Sequence, residues 1–442
     1  MSAETVEQVA ARVLASAKAA AKDAEIRVDV RRTGAANVRF AKNEVTTSGE
    51  YDELALSVWI GLGKRAAWAS TNQSDPRSVA ALVDRALAMA RLSPEDPETM
   101  PLLSPQTYGT SAAYDDRLAA MTPAERAAIA GRAIAAGDAA KVQIAGFLQR
   151  RVTDHAIASS TGLAARHRET SATYTVTART LDASGSGWAG REIHRATDLD
   201  DASLARVAID KAARSASAKP IPPGKYTVIL EPQAVAELLM FLPDAMNLRS
   251  VDEGRSYFTG KTSEKVFADF VRLESDPTSP LTPGSPFDAE GMALAPQTWI
   301  ESGRAKDLFV SRFWAQQKGG GVKPTGHHTI HRLSGGSAAS LDDIVKDTKR
   351  GLLVTRFWYN RMLEPQTVMV TGLTRDGLFL VEDGKITAPL TNFRYNESPI
   401  TMLRNVDAMT KSTVRVPVWG GTWHVPALRT NEFTMASPSA AV

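Results

Sequence analysis

The chain has seven histidines, at 155, 167, 194, 327, 328, 331 and 424, and no cysteine. The residues that follow them are Ala, Arg, Arg, His, Thr, Arg and Val, so no histidine is followed by glutamate. A helical zinc-peptidase site needs two histidines on one helix face and a glutamate base beside the first, and that arrangement is absent. Without cysteine there is no thiolate nucleophile, disulfide or sulfur-ligated metal. The densest histidine cluster is His327-His328-Thr329-Ile330-His331. On a helix, His327 and His331 would share a face and could chelate an ion. Gly326 before them and the β-branched pair between them predict an extended segment instead. Residues four apart then lie about 13 Å from each other, too far to share one ion. Hydrogen-bonding or solvated histidines are the favoured reading, with a metal role for His327, His328 and His331 the weaker one.

Other constellations carry less chemistry. Gly185-Ser186-Gly187 and Gly319-Gly320-Gly321 lack the Lys-Ser/Thr of a phosphate loop and the spacing of a dinucleotide-binding turn. No GxSxG nucleophile elbow occurs. Asp200-Asp201 and Asp342-Asp343 stand where helices are predicted to start, and capping accounts for them. Phe313-Trp314 and Phe357-Trp358-Tyr359 are able to line a groove, although aromatic residues in strands are more often buried. Arg356 and Arg361 flank the second cluster and are placed to hold a carboxylate or to make a structural ion pair.

Composition narrows the classes. With 442 residues, 43% hydrophobic and 23% charged, the chain resembles an ordinary globular protein of two or three domains. A net charge of +3 gives no concentrated basic face, so nucleic acid is not an expected partner. No apolar run approaches the roughly 18–20 residues that span a bilayer. The first 22 residues mix charges with alanine and valine, as an amphipathic helix does and a secretion signal does not. A cytoplasmic protein without membrane attachment is expected.

The elements that must position any site are arranged as a repeat. A helical stripe of Val6, Val9, Ala10, Val13 and Leu14 precedes strands predicted at 26–30, 37–40, 53–59 and 64–70, and Asp75-Pro76 opens a helix to about Leu92. Thr122-Pro123-Ala124-Glu125, a capping box, starts a second helix to about Ala139. Strands follow at 142–148, 155–159, 171–178 and 188–194, and a helix begins near Asp200-Asp201. The same helix–strands–helix order therefore returns after about 117–126 residues. The units cover about 1–92 and 122–216, joined by a Pro- and Ser-rich linker over 93–121. Pro220, Pro222, Pro223 and Gly224 mark a boundary, giving an N-terminal domain over 1–218 and a C-terminal domain over 219–442. Beyond it come a strand at 226–230, a helix over 233–246, a helix from Ser340 to Gly351, and strands at 352–359, 367–371, 378–382, 385–389, 413–418 and 423–428. Asp376-Gly377 and Asp383-Gly384 read as hairpin turns. The expected fold is α+β: an N-terminal α/β domain with an antiparallel sheet, and a β-rich, barrel-like C-terminal domain.

Several runs together resemble the TldD/PmbA (TldE) family: 40–44, the Gly61-Leu62-Gly63 turn with 64–66, 351–359, 371–377, 381–386, 392–399 and 425–429. The resemblance extends over nearly the whole chain and rests on the order and spacing of these runs. It implies two related subunits around a chamber that degrades or matures unfolded peptides. It also implies a zinc site, HExxxH plus a C-terminal cysteine, on the TldD-type subunit. In this sequence Met240, Phe241 and Ala245 stand where that His, Glu and His would be, and the cysteine position falls within 415–419. A phenyl ring and a methyl group have no lone pair for zinc, and a thioether is a poor ligand for it. The chain thus resembles the TldE-type subunit. It is expected to bind no metal itself, to pair with an HExxxH-bearing TldD-type subunit that carries zinc, and to present Arg356, Phe357, Trp358 and Tyr359 to a peptide. Two alternatives remain open at this point: an autonomous metal-dependent peptidase with a different site, and a homodimeric peptide-binding scaffold.

Overall fold

A computed structural model describes residues 4–418 and 421–439. The first helix, α1 (Val6–Ala20), is opened by a capping box between Thr5 and Gln8 and buries Val6, Val9, Ala10, Val13 and Ala17. Then β1 (Glu25–Ala41) turns through Lys42 and Asn43, both left-handed, into β2 (Glu44–Leu62). Gly63 leads into β3 (Arg65–Thr71), and α2 (Pro76–Leu92) is capped by Asp75. The second unit comprises α3 (Asp116–Ala119), α4 (Pro123–Ala139), β4 (Val142–Ser159), β5 (Ala164–Thr180), β6 (Ser186–Ile193) and α5 (Asp201–Arg214).

These six strands form one antiparallel sheet in the order β3-β2-β1-β4-β5-β6. The two units meet through β1 and β4, so the repeat becomes a doubled sheet. Each unit packs its own helices into its own core, around Val28, Val58 and Leu82 in the first and Ile144, Val176 and Ala208 in the second. The segments expected as separate strands at 26–30 and 37–40 are a single strand. Gly34-Ala35-Ala36 interrupts the apolar alternation, yet Gly34 is paired on both sides, opposite Asp52 and Val152. The ladder carries the strand where the side chains do not.

The second half begins with β7 (Gly224–Leu230), α6 (Pro232–Leu239), α7 (Leu242–Ala245) and α8 (Leu248–Asp252). It continues through β8 (Arg272–Ser275), β9 (Gln297–Glu301), β10 (Arg304–Ala305), α9 (Arg312–Lys318), β11 (Ile330–Ser334) and α10 (Leu341–Lys346). Next come β12 (Arg350–Glu364), β13 (Met369–Glu382), β14 (Lys385–Pro389), β15 (Phe393–Glu397) and α11 (Pro399–Arg404). The last strands are β16 (Val406–Met409), β17 (Val414–Val418), β18 (Gly421–Val425) and β19 (Leu428–Pro438). Strands β12-β7-β19-β15-β13 close into a five-stranded barrel through the β12–β13 pairing. A second sheet runs β10-β9-β8-β11-β18-β17, with Trp299 and Trp423 fully buried against it. The expected α+β architecture, with an antiparallel N-terminal sheet and a barrel behind it, is the one observed. Among the described residues no helix is long and apolar enough to cross a membrane.

Three local expectations differ. The helix read over 233–246 breaks after Leu239, because a helix continued through Pro243 would drive its ring into the carbonyl of Leu239. The helix from Ser340 ends at Lys346, and Gly351 already lies in β12, where an added Cβ would be 3.0 Å from the Thr227 carbonyl. Asp376-Gly377 is no hairpin turn but lies inside β13, in positive-φ backbone facing a register shift between Val354 and Arg356. Asp383-Gly384 does form the β13–β14 hairpin, with φ of 47° and 76°.

Candidate functional site

Where α6 stops, Met240 and Phe241 make a helical-type joint before α7. Their side chains line a cavity of about 660 Å³ between the doubled sheet and the barrel. Across it runs β12, contributing Arg356, Phe357, Trp358, Tyr359 and Asn360. The doubled sheet adds Thr175 and Trp188, and β17 adds Pro417 and Val418. Six residues singled out in the sequence, Met240, Phe241, Arg356, Phe357, Trp358 and Tyr359, are therefore brought to one place. Ala245 is not among the cavity residues; it is buried in the C-terminal core. Arg361 is exposed further along β12.

The polar centre is a pair that the sequence does not advertise. Glu237, on α6 one turn before Phe241, is buried at 7% exposure. Its Oε2 accepts the backbone N–H of Phe357 at 2.6 Å, so the carboxylate takes the place of a ladder partner on the free edge of β12. Its Oε1 accepts from Gln233 Nε2 at 2.9 Å and from Arg356 Nη2 at 3.3 Å. Gln233 also donates to the Pro417 carbonyl, and Asn360 donates to the Glu237 carbonyl. Burial pushes the Glu237 carboxyl up to about 7, against the pull of Arg356 and of the donors on Gln233 and Phe357. The Arg356 guanidinium lies over Trp188 at 4.5 Å and over Trp358 at 5.1 Å, and Arg375 also sits over Trp358. Glu237 escapes a sequence reading because it sits between Ala236 and Leu238 on an apolar helix, and its partner lies 119 residues away.

The residues here do not fit a metal. A thioether and a phenyl group occupy the cavity wall, and Glu237 is the one carboxyl among its lining residues. Among the described residues no group of three His, Cys, Asp or Glu side chains is placed to hold an ion. Of the stretch 415–419, Arg415 pairs with Glu192 at 2.6 Å, Pro417 accepts from Gln233, and Trp419 lies outside the described residues. The histidine cluster is dispersed. His331, in β11, shares a hydrogen bond of 3.0 Å with Ser275 and is pushed down to about 3 by burial. His328 is buried edge-on to Trp299 and pushed down to about 4. His327 lines a separate polar cavity with Asp29, His155 and Arg415. Phe313 and Trp314 lie on α9, and Trp314 donates to Asp252.

The fold and site define a two-part α+β protein: a doubled antiparallel sheet, a five-stranded barrel, and at their junction an aromatic cavity with one buried Arg–Glu pair. The chain belongs to the PmbA/TldD metallopeptidase family. Residues 116–218 match the PmbA/TldA metallopeptidase central domain and residues 223–437 its C-terminal domain. It is similar to a metalloprotease of Methanothermobacter thermautotrophicus, 24% identical over 263 residues, which are 54% of this chain and 56% of that protein. A metalloprotease of Methanocaldococcus jannaschii is 27% identical over 222 residues, covering 47% of this chain and 48% of the other. The chain thus spans about half the length of these curated relatives. In fold it matches the crystal structure of TldE from Thermococcus kodakarensis with a TM-score of 0.87, covering 97% of this chain and all of that one. The identity there is 18%, so the likeness speaks for the fold alone.

Proposed function

We propose that this chain is the metal-free subunit of a two-subunit zinc metallopeptidase acting on unfolded peptides, and that its partner carries HExxxH and the zinc. The observation that supports this most is the cavity wall itself. The positions that resemble the zinc helix hold Met240 and Phe241, and these face the aromatic run of β12 across the 660 Å³ cavity. A wall of thioether, phenyl and indole groups suits a peptide side chain and supplies no ligand to zinc. Beyond Phe357, whose N–H is bound by Glu237, β12 enters Trp358, Tyr359 and Asn360, which line the cavity. An extended peptide is held there by backbone contacts and by aromatic packing, a mode that tolerates many sequences.

The test is coexpression with a family member that carries HExxxH, followed by measurement of assembly mass and of casein hydrolysis. The expected result is a complex of the two chains that hydrolyses casein, whereas this chain alone does not. Two chains that stay apart, with no gain of hydrolysis on mixing, would refute it.

A further inference from the structure

Among the described residues that line the cavity there is one cation, Arg356, and, apart from Glu237, no charge to oppose it. Arg356 uses Nη2 on Glu237. Its Nε is buried without a hydrogen-bond partner, and no hydrogen bond is made by Nη1 to any described residue. A guanidinium offers five N–H donors in a planar fork that suits a carboxylate, and here most of that fork is unspent. The indoles of Trp188 and Trp358 hold the fork in place, so little side-chain entropy is lost when a ligand arrives. The opposing charge is weak, since burial raises the Glu237 carboxyl to about 7 and leaves it partly protonated at neutral pH. Gln233, 5% exposed, carries a second unpaired group: its Oε1 has no donor. The rest of the wall is mostly apolar, with Met240, Phe241, Trp358 and Tyr359 prominent and Thr175 and Asn360 as its uncharged polar members.

We infer that this cavity receives the C-terminal residue of a peptide, its α-carboxylate on Arg356 and a large apolar side chain against the aromatic wall. The commitment to a chain terminus follows from the distribution of charge. The occupant must bring an anion and an apolar group together, and a C-terminal Phe or Leu does so within one residue. An internal Asp spends its side chain on Arg356 and leaves the aromatic wall to bare backbone. The terminal residue's own N–H is a donor suited to the Gln233 amide oxygen. The cavity is also of a size that holds a few residues and not a folded segment. This inference rests on the reading of the cavity as a peptide site.

The experiment uses the full chain and its intrinsic tryptophan fluorescence, titrated with three unstructured probes of otherwise equal sequence. The first ends in Phe as the free acid, the second is its C-terminal amide, and the third is the amide with an internal Asp. The free acid is expected to bind at least about tenfold tighter than either amide, a difference that a charge-assisted Arg–carboxylate pair supplies. Arg356→Gln should bring the free acid down to the level of the amide. Trp358→Leu, at an exposed position, should weaken the free acid several-fold without unfolding, which keeps the test open if the arginine variant fails to fold. Equal binding of free acid and amide would overturn the terminal-carboxylate inference while leaving peptide binding in place. An Asp-bearing amide that matches the free acid would replace it with side-chain recognition. No binding of any probe would remove both the inference and the peptide site under it.

Discussion

Replacing Glu237 by Gln should make the protein more stable above neutral pH, although it removes half of a buried ion pair. In the fold this carboxyl titrates near 7 because burial outweighs Arg356 and the hydrogen bonds, compared with 4.5 for the free group. A carboxyl whose folded value is raised contributes fully below its unfolded value, here about 4.5, and loses that contribution as pH rises to about 7. Each unit of difference is worth about 1.4 kcal/mol, so the wild-type protein gives up roughly 3 kcal/mol across that window. Gln mimics the protonated form: its carbonyl can still accept from Phe357 N–H, and it never charges. The variant and the wild type should therefore match near pH 4.5 and diverge by up to about 3 kcal/mol at pH 8, with the variant ahead. Urea unfolding of both proteins at several pH values from 4.5 to 8 measures this, and subtracting the two curves cancels the other titrating groups. A difference that stays flat with pH would refute the burial argument. A variant that falls behind as pH rises would mean that the Arg356 attraction dominates desolvation.

Two further outcomes test how the framework is built. Gly187→Ala puts a Cβ 2.2 Å from the Ala208 carbonyl oxygen and 2.4 Å from the Ala212 N, backbone atoms of α5 that cannot rotate away. It should destabilise by about 3 kcal/mol, the upper end for overpacking, seen as a clear drop in unfolding temperature. Thr122→Ala removes the side chain that caps α4 at the Glu125 N–H and leaves one reciprocal bond of the capping box unmade. A loss of about 1 kcal/mol is expected in chemical denaturation, with no change in peptide binding.

Local signals were legible where one short segment decides the outcome. The Thr122–Glu125 capping box, the Asp75-Pro76 helix start and the Asp383-Gly384 hairpin all carry their instruction within four residues, and each forms as read. The duplicated helix–strands–helix order was visible because it recurs, and it becomes the doubled sheet. What escaped depends on distant partners. Asp376-Gly377 has the composition of a turn, but the flanking pairings of Arg375 with Arg356 and of Leu378 with Val354 on β12 hold it inside a continuous β13. The break between α6 and α7 follows from Pro243, a cue present in the sequence and outweighed there by the apolar periodicity. Within the site, Met240, Phe241 and the run from Arg356 to Tyr359 could be named from the family resemblance, whereas Trp188, Pro417 and Val418 were not. Glu237 could not be, since an acid on a buried helix acquires meaning only beside Arg356, 119 residues later, and Trp188, from the other half of the chain.

The most direct test of the division of labour is zinc content, measured by elemental analysis on this chain alone and on its purified complex with an HExxxH-bearing family member. The account predicts no stoichiometric zinc on the isolated chain and one zinc per complex, unchanged when His327 and His331 are both replaced by Ala. Stoichiometric zinc on the isolated chain, lost in that double variant, would contradict it.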